Sequence, residues 1–165
     1  MPWLALVEPE WTLAKNHSHR SDTKEKIVAT YRDLGRNQRR GARGLQLITD
    51  LGQFLTSSDQ DEDRLSRQMN QRILDHATVL SADSDTLRVA MAAMRTYNLR
   101  FFDAIMFASV RRDLSSHTGE LSYFLNRNKR DFCTPELLAE FNDLGCKLLT
   151  SFRGGLSLIN AKLRQ

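Results

Sequence analysis

The sequence contains little cysteine, proline or glycine. Its 165 residues include 2 Cys, 3 Pro and 8 Gly. Cys133 and Cys146 are by themselves too few for a disulfide framework or a four-ligand zinc site. No Gly-X-Y period indicates a fibre, and a hydrophobic content of 41% is too high for a disordered chain. We therefore expect a single domain over residues 1–165, in a reducing cytoplasm.

Long hydrophobic runs are also absent. The longest nearly apolar stretch, FFDAIMFASV at 101–110, is far shorter than the roughly 20 residues of a membrane-spanning helix. The N-terminal MPWLALVEPEW lacks the basic residues of a signal peptide and contains two glutamates. No G-x-G-x-x-G, P-loop, G-x-S-x-G or H-E-x-x-H motif occurs, which disfavours familiar nucleotide-binding, acyl-transfer and zinc-protease classes. We expect no membrane association.

The net charge of +4 conceals a segregation of charge along the chain. Residues 11–50 hold nine basic residues (Lys or Arg) and four acidic ones (Asp or Glu). Residues 88–165 hold twelve basic and seven acidic residues, whereas residues 51–87 hold three basic and seven acidic ones. The densest basic clusters are Arg36, Arg39, Arg40 and Arg43, and then Arg127, Lys129 and Arg130. Such clusters either neutralise phosphates or form a solvated helix face.

The first 76 residues have helical periodicity with interruptions. The polar run NHSHRSDT at 16–23 predicts a break after the first helix, and Asp22 or Thr23 is a suitable cap for the second. Ser57 or Ser58, followed by acidic residues, predicts the start of another helix. We therefore expect several helices of ordinary length in this part of the chain.

The pattern changes after His76. Short apolar runs at 77–83, 121–126 and 146–150 predict strands, and FFDAIMFASV predicts a buried helix between the first two. A helix begins at Pro135 and is closed by Gly145 as its cap. Near-continuous apolar strands that alternate with helices favour a parallel sheet. The sequence therefore predicts an α/β fold with a large helical share.

Three acidic positions are candidates for chemistry. Asp103 lies in the predicted buried helix, where a carboxylate is costly unless it is compensated, or it stabilises the start of that helix. Asn126, Asn128 and Asp131 follow a predicted strand, where parallel sheets bind ligands and where turns also occur. Glu8 follows the apolar run LALV and is expected at the edge of the core.

Two other polar clusters are weaker candidates. His17 and His19 lie in a polar stretch and have no third ligand nearby in the sequence, so we expect no metal there. The acidic run DQDED at 59–63 lacks the glycine and the spacing of a calcium loop. Acidic residues are also expected in the first turn of a helix.

Three segments, taken in order, resemble the C-terminal half of a PIN-domain nuclease. They are LRFFDAIMFASV, then SYFLNRNKRDF, then PELLAEFNDLGCKLLTSF. The N-terminal ALVEPEWTLAK looks like the family's apolar run that ends in a catalytic glutamate. The resemblance covers most of residues 1–11 and 78–153. It implies a PIN-like parallel sheet flanked by helices, with an enlarged helical insertion at about residues 20–77.

The resemblance also implies a site and a substrate. Glu8, Asp103 and Asp131 fall on metal-binding acids of the family, and Asn128 falls where a fourth acid often lies. These positions imply one or two Mg²⁺ or Mn²⁺ ions that activate water for attack on RNA, as in VapC-like toxins. The nucleic-acid-binding residues would be Asn128, Arg127, Lys129, Arg130, Arg39 and Arg40. An antitoxin protein and a second copy of the chain are the expected protein partners.

The sequence departs from the family at its start. PIN domains begin with a central strand that ends in a catalytic aspartate, and only MPWLAL precedes Glu8. We expect either a start upstream of Met1 or an inactive relative. Three hypotheses follow: a metal-dependent endoribonuclease, a non-catalytic PIN-like module that binds RNA or protein, and a purely helical interaction protein. The last requires that 121–126 and 146–150 do not form parallel strands.

Overall fold

The computed structural model describes residues 1–34, 41–117 and 121–164. Within these ranges the protein is mostly helical, with seven helices and one small parallel sheet. The elements in chain order are α1 (Leu4–Leu34), α2 (Gly41–His76), α3 (Ser84–Thr96), α4 (Phe101–Ser116), β1 (Ser122–Leu125), α5 (Lys129–Phe132), α6 (Pro135–Asp143), β2 (Cys146–Leu149) and α7 (Phe152–Lys162). No helix in the described ranges is long and apolar enough to cross a membrane.

The chain divides into two compact units. The C-terminal unit comprises Met1–Leu4 and the chain from Val79 onward, and the hairpin unit comprises Ala5–Thr78. The C-terminal unit holds both strands and five of the helices, and the hairpin unit consists of α1 and α2.

The two strands confirm the main prediction for the C-terminal unit. Strands β1 and β2 pair in parallel, with Ser122 opposite Cys146 and Leu125 opposite Leu149. Their pairing rules out the purely helical hypothesis. Helix α6 begins at Pro135 with Thr134 as its cap, and Gly145 follows with a φ of 68°. That left-handed conformation favours glycine, so the predicted helix end is confirmed.

The predicted strand at 77–83 was wrong. Leu80 makes only an isolated parallel bridge with Pro2, through hydrogen bonds from the Trp3 amide to the Leu80 carbonyl (3.1 Å) and from the Leu80 amide to the Met1 carbonyl (2.8 Å). A segment that pairs at one residue satisfies too few backbone groups to form a strand. The sheet of the described residues therefore has two strands.

The core of the C-terminal unit is aromatic. Phe107, Phe132 and Phe141 are buried, and the ring of Phe124 lies 5.4 Å from that of Phe132 and 5.3 Å from that of Phe141. Helix α4 contributes more buried residues than any other helix or strand, as the nearly apolar stretch 101–110 predicts. Because Phe132 belongs to α5, the same core anchors the short helix after β1.

A polar contact fixes α4 against α3. Asp83 caps α3 by accepting from the Thr86 amide (2.9 Å), and its other carboxylate oxygen accepts from the Arg112 guanidinium in α4. These hydrogen bonds hold the pKa of Asp83 well below its usual range, and the bond from Arg112 lowers it the most. The carboxylate that ends the predicted 77–83 segment thus has a structural role.

The hairpin unit corrects the predicted helix breaks. Helix α1 runs through the polar stretch 16–23, and α2 runs through Ser57 without interruption. Thr23 donates to the His19 carbonyl (2.8 Å) and Ser57 to the Phe54 carbonyl (3.0 Å), so these hydroxyls bond within a helix and do not cap one. Local hydrogen bonding of Ser and Thr is compatible with either outcome, which is why the prediction was wrong.

Contacts between α1 and α2 show that the two helices are antiparallel. Glu10 accepts from Asn70 (2.7 Å), and Arg20 donates to Glu62 (3.1 Å). Near the end of α1, a Cβ on Gly44 would lie 2.3 Å from the Tyr31 ring, so a larger residue at this position requires the ring to shift. The partners further along α1 lie progressively earlier in α2, as in a helical hairpin.

Candidate functional site

The polar residues after β1 form a compact turn at the carboxyl end of both strands. The Asn126 amide donates to the Leu149 carbonyl (2.9 Å), which continues the pairing one residue beyond the strands. The Asn126 side-chain oxygen accepts a hydrogen bond from the backbone N–H of Asn128 (2.8 Å). The Asn128 side-chain oxygen in turn caps α5 by accepting from the backbone N–H of Asp131 (3.3 Å). This turn fixes the position of the Asn128 side chain.

Asn128 connects two carboxylates that are 28 residues apart in sequence. Its side-chain Nδ2 donates to Asp103 Oδ1 (3.1 Å) and to Asp131 Oδ2 (2.8 Å). All three side chains are half-buried, and Asp103 lies in the first turn of α4. An amide nitrogen carries two hydrogens, one for each carboxylate. We call this arrangement the acid–amide cluster.

The structure brings Asp103, Asn128 and Asp131 together. Two carboxylates that converge on one point repel each other unless a donor or a cation lies between them. The Asn128 Nδ2 occupies that point. Hard divalent cations prefer oxygen ligands, so the carboxylates of Asp103 and Asp131 are ligands of the chemical type that Mg²⁺ or Mn²⁺ binds.

The cluster is nevertheless small for a metal site. Among the described residues of the C-terminal unit, no third acid, histidine or cysteine joins Asp103 and Asp131 in a group with metal-ligand spacing. Glu8 belongs to the hairpin unit, where it is an exposed residue of α1 whose carbonyl accepts from Thr12 (3.1 Å). It follows no strand, contrary to the expected position at the edge of the core. Its role as a ligand remains a prediction.

The predicted basic residues divide between described and undescribed parts of the chain. Arg127, Lys129 and Arg130 are exposed and immediately flank Asn128, so they lie beside the acid–amide cluster. Arg39 and Arg40 fall outside the described residues. The three described cations supply positive charge next to the two carboxylates, which suits a phosphate-bearing ligand.

The hairpin unit contains a polar cluster that the sequence analysis missed. His17 Nε2 lies 3.6 Å from both Asp59 Oδ1 and Glu62 Oε2, and its Nδ1 lies 3.8 Å from Asp63. The sequence marked His17 and the 59–63 acidic run separately. Because they are about 40 residues apart, only the pairing of α1 with α2 brings them together.

Arg20 determines what this polar cluster does. Its guanidinium lies 3.1 Å from Asp59 and 2.5 Å from Glu62, so it forms ion pairs with two of the three carboxylates near His17. The hydrogen bond from Arg20 lowers the pKa of Glu62, and the same bond raises that of Arg20. We therefore describe the cluster as an ion-pair network that joins α1 to α2.

Comparison with known proteins did not identify the chain. No protein-family model, no curated protein and no solved structure matched it.

Proposed function

We propose that the protein is a PIN-like, metal-dependent ribonuclease. One observation carries the proposal: Asp103 and Asp131 converge on Asn128 at the carboxyl end of two parallel strands. Ligands of open parallel sheets bind at that end of the strands. The resemblance of three sequence segments to the PIN family supports the same assignment.

The roles of the residues follow from their positions. Asp103 and Asp131 would hold the cation. A bound Mg²⁺ or Mn²⁺ supplies an activated water for attack on a phosphodiester. Asn128 orients the two carboxylates, because each accepts a hydrogen bond from its amide. Arg127, Lys129 and Arg130 hold the RNA backbone.

A specific observation favours a second candidate, a non-catalytic module that binds RNA or protein. Helix α2 leaves large apolar side chains more than half exposed, which is expensive in water unless a partner covers them. These side chains are Leu47, Phe54, Leu65, Met69 and Leu74. An antitoxin or a second copy of the chain would suit this surface, and the protein would then need no divalent ion.

Substituting Asp103 distinguishes the two candidates. In Asp103→Asn we expect Mn²⁺-dependent RNA cleavage to fall by more than about 100-fold, since even residues that only orient metal ligands change activity about 10–100-fold. Thermal stability should be similar, because an asparagine side chain keeps an oxygen that can accept from Asn128 while one of two converging negative charges is removed. The measurement is cleavage of a labelled RNA with Mn²⁺ and with EDTA, alongside melting of both proteins.

Asp143→Asn is the matched control, because Asp143 is an exposed aspartate of α6. It should cleave like the wild type. Cleavage by Asp103→Asn at the wild-type rate would refute the assignment. RNA binding that persists in EDTA, weakens steeply with salt and leads to no cleavage would establish the second candidate.

A further inference from the structure

An exposed aromatic ring lies at the start of α7, just after β2. Phe152 is the first residue of α7 and is 59% exposed, whereas Phe124, Phe132 and Phe141 are buried. Ser151 caps α7 by accepting from the Gly154 amide (3.3 Å), which fixes the start of the helix just after β2. The ring therefore has a defined place at the carboxyl end of the sheet without being part of the core.

Arg127 lies over this ring. Its guanidinium carbon is 5.9 Å from the centre of the Phe152 ring, within the range of a cation–π contact. Arg127 directly precedes Asn128, whose side chain bridges the two carboxylates. Arg127 of the cation–π pair and Asn128 of the acid–amide cluster are thus consecutive residues of the chain.

Two further exposed rings lie next to Asp103 in the sequence. Phe101 and Phe102 are 47% and 49% exposed, with ring centres 5.5 Å apart, and they directly precede Asp103. Exposed aromatic rings interleaved with arginine and lysine are typical of surfaces that bind single-stranded nucleic acid. The planar guanidinium and the phenyl ring offer stacking surfaces that any base can use.

We propose that Phe152 and Arg127 form a stacking site for one unpaired base of single-stranded RNA, next to the acid–amide cluster. The proposal rests on the proposed function for its substrate class. Stacking requires an exposed base face, which a duplex keeps inside its own stack. Arg127, Lys129 and Arg130 would bind the phosphates on either side of the stacked base. Phe152 would then position the RNA relative to the carboxylates without touching the reacting atoms.

The test measures binding without catalysis. A short single-stranded oligoribonucleotide carrying one 2-aminopurine is titrated with the full chain in EDTA, and the fluorescence reports both affinity and base stacking. Phe152→Ala should weaken binding by about tenfold, because base–aromatic stacking contributes about 1–3 kcal/mol per base. It should also lose the fluorescence quenching of the stacked base. Phe152→Trp should retain both.

Two further variants separate stacking from other effects. Trp11→Ala removes an exposed aromatic ring from α1 in the hairpin unit and should bind like the wild type. Arg127→Lys keeps the positive charge but loses the planar group, so it should also reduce quenching. The melting temperature of Phe152→Ala should remain close to that of the wild type, because the ring is mostly exposed.

The possible outcomes identify which claim fails. Wild-type affinity and quenching in Phe152→Ala would overturn the stacking site and leave the ribonuclease proposal intact. Binding that depends on Phe152, together with cleavage that does not depend on Asp103, would uphold the stacking site and refute the ribonuclease. An equal loss of affinity for duplex RNA would also overturn the stacking site, since duplex bases cannot reach the ring.

Discussion

Replacing Asn128 by aspartate would test the acid–amide cluster without disturbing the turn around it. Asn128 has two functions in the structure: its Oδ1 caps α5, and its Nδ2 donates to Asp103 and Asp131. An aspartate caps a helix as well as an asparagine does. Asn128→Asp therefore keeps the cap and removes only the donor, which it replaces with a third negative charge.

The expected loss of stability follows from the contacts. A hydrogen bond to a charged group contributes about 1.5–3 kcal/mol, and the half-buried cluster calls for the lower end of that range. Two such bonds are lost, and the introduced carboxylate would also face Asp103 and Asp131 across distances now spanned by 3.1 and 2.8 Å hydrogen bonds. We expect a destabilisation of about 3 kcal/mol in EDTA, which lowers the Tm by about 6–12 °C for a chain of this size.

Divalent ions should reverse the effect. A cation bound among the three carboxylates stabilises the folded state by about 2.7 kcal/mol when it is present at 100 times its Kd. Thermal melts of Asn128→Asp with a Mn²⁺ titration should therefore recover most of the lost Tm. The control is Asn142→Asp, which adds a carboxylate at an exposed position of α6 and should change stability by about 0.5 kcal/mol or less.

Two results would refute this reasoning. If Asn128→Asp has the same Tm as the wild type in EDTA, the Asn128 amide does not hold the two carboxylates together. If it is destabilised but Mn²⁺ restores nothing, the carboxylates do not converge on a cation site, and the ribonuclease proposal loses its main support.

Two further predictions concern the framework around the site. Because Arg112 lowers the pKa of Asp83, the stability that Asp83 provides is complete above about pH 4, near the unfolded pKa of an aspartate, and is lost on further acidification. The free energies of unfolding of the wild type and Asp83→Asn, measured with urea, should differ by a constant amount from pH 7 to about pH 4. Below about pH 4 this difference should become smaller. A difference that does not change with pH would contradict the ion pair. Phe132→Ala should lower the free energy of unfolding by about 3–5 kcal/mol, because the side chain is fully buried against Phe124. Phe101→Ala should lower it far less, because the Phe101 ring is half exposed. Equal losses in the two alanine variants, measured by chemical denaturation, would contradict the assigned core.

The sequence predicted the C-terminal unit better than the hairpin unit. The β1 and β2 segments are short, apolar and bounded by polar turns, so local pattern was enough to locate both strands. The start and end of α6 were also local signals, with Pro135 at its start and Gly145 after its end. In the hairpin unit the polar residues 16–23 and Ser57 have local preferences that do not decide between cap and helix interior.

The candidate site was predicted in part for a related reason. Asn128 and Asp131 are three residues apart, so their contact follows from the turn itself. Asp103 could be placed beside them only through the resemblance to a family, since nothing local joins α4 to α5. The link between His17 and the 59–63 acids had no such resemblance to reveal it.

The sequence by itself determined several local features: the positions of β1 and β2, the start and end of α6, the apolar stretch of α4 and the position of each acidic and basic cluster. These depend on residues within a few positions of one another, where side-chain pattern and backbone preference act directly. Tertiary structure alone decided that α1 and α2 continue as long antiparallel helices and that the 77–83 segment makes only one bridge. It also decided that one amide lies between two carboxylates, because contacts between distant segments depend on packing that no local pattern specifies.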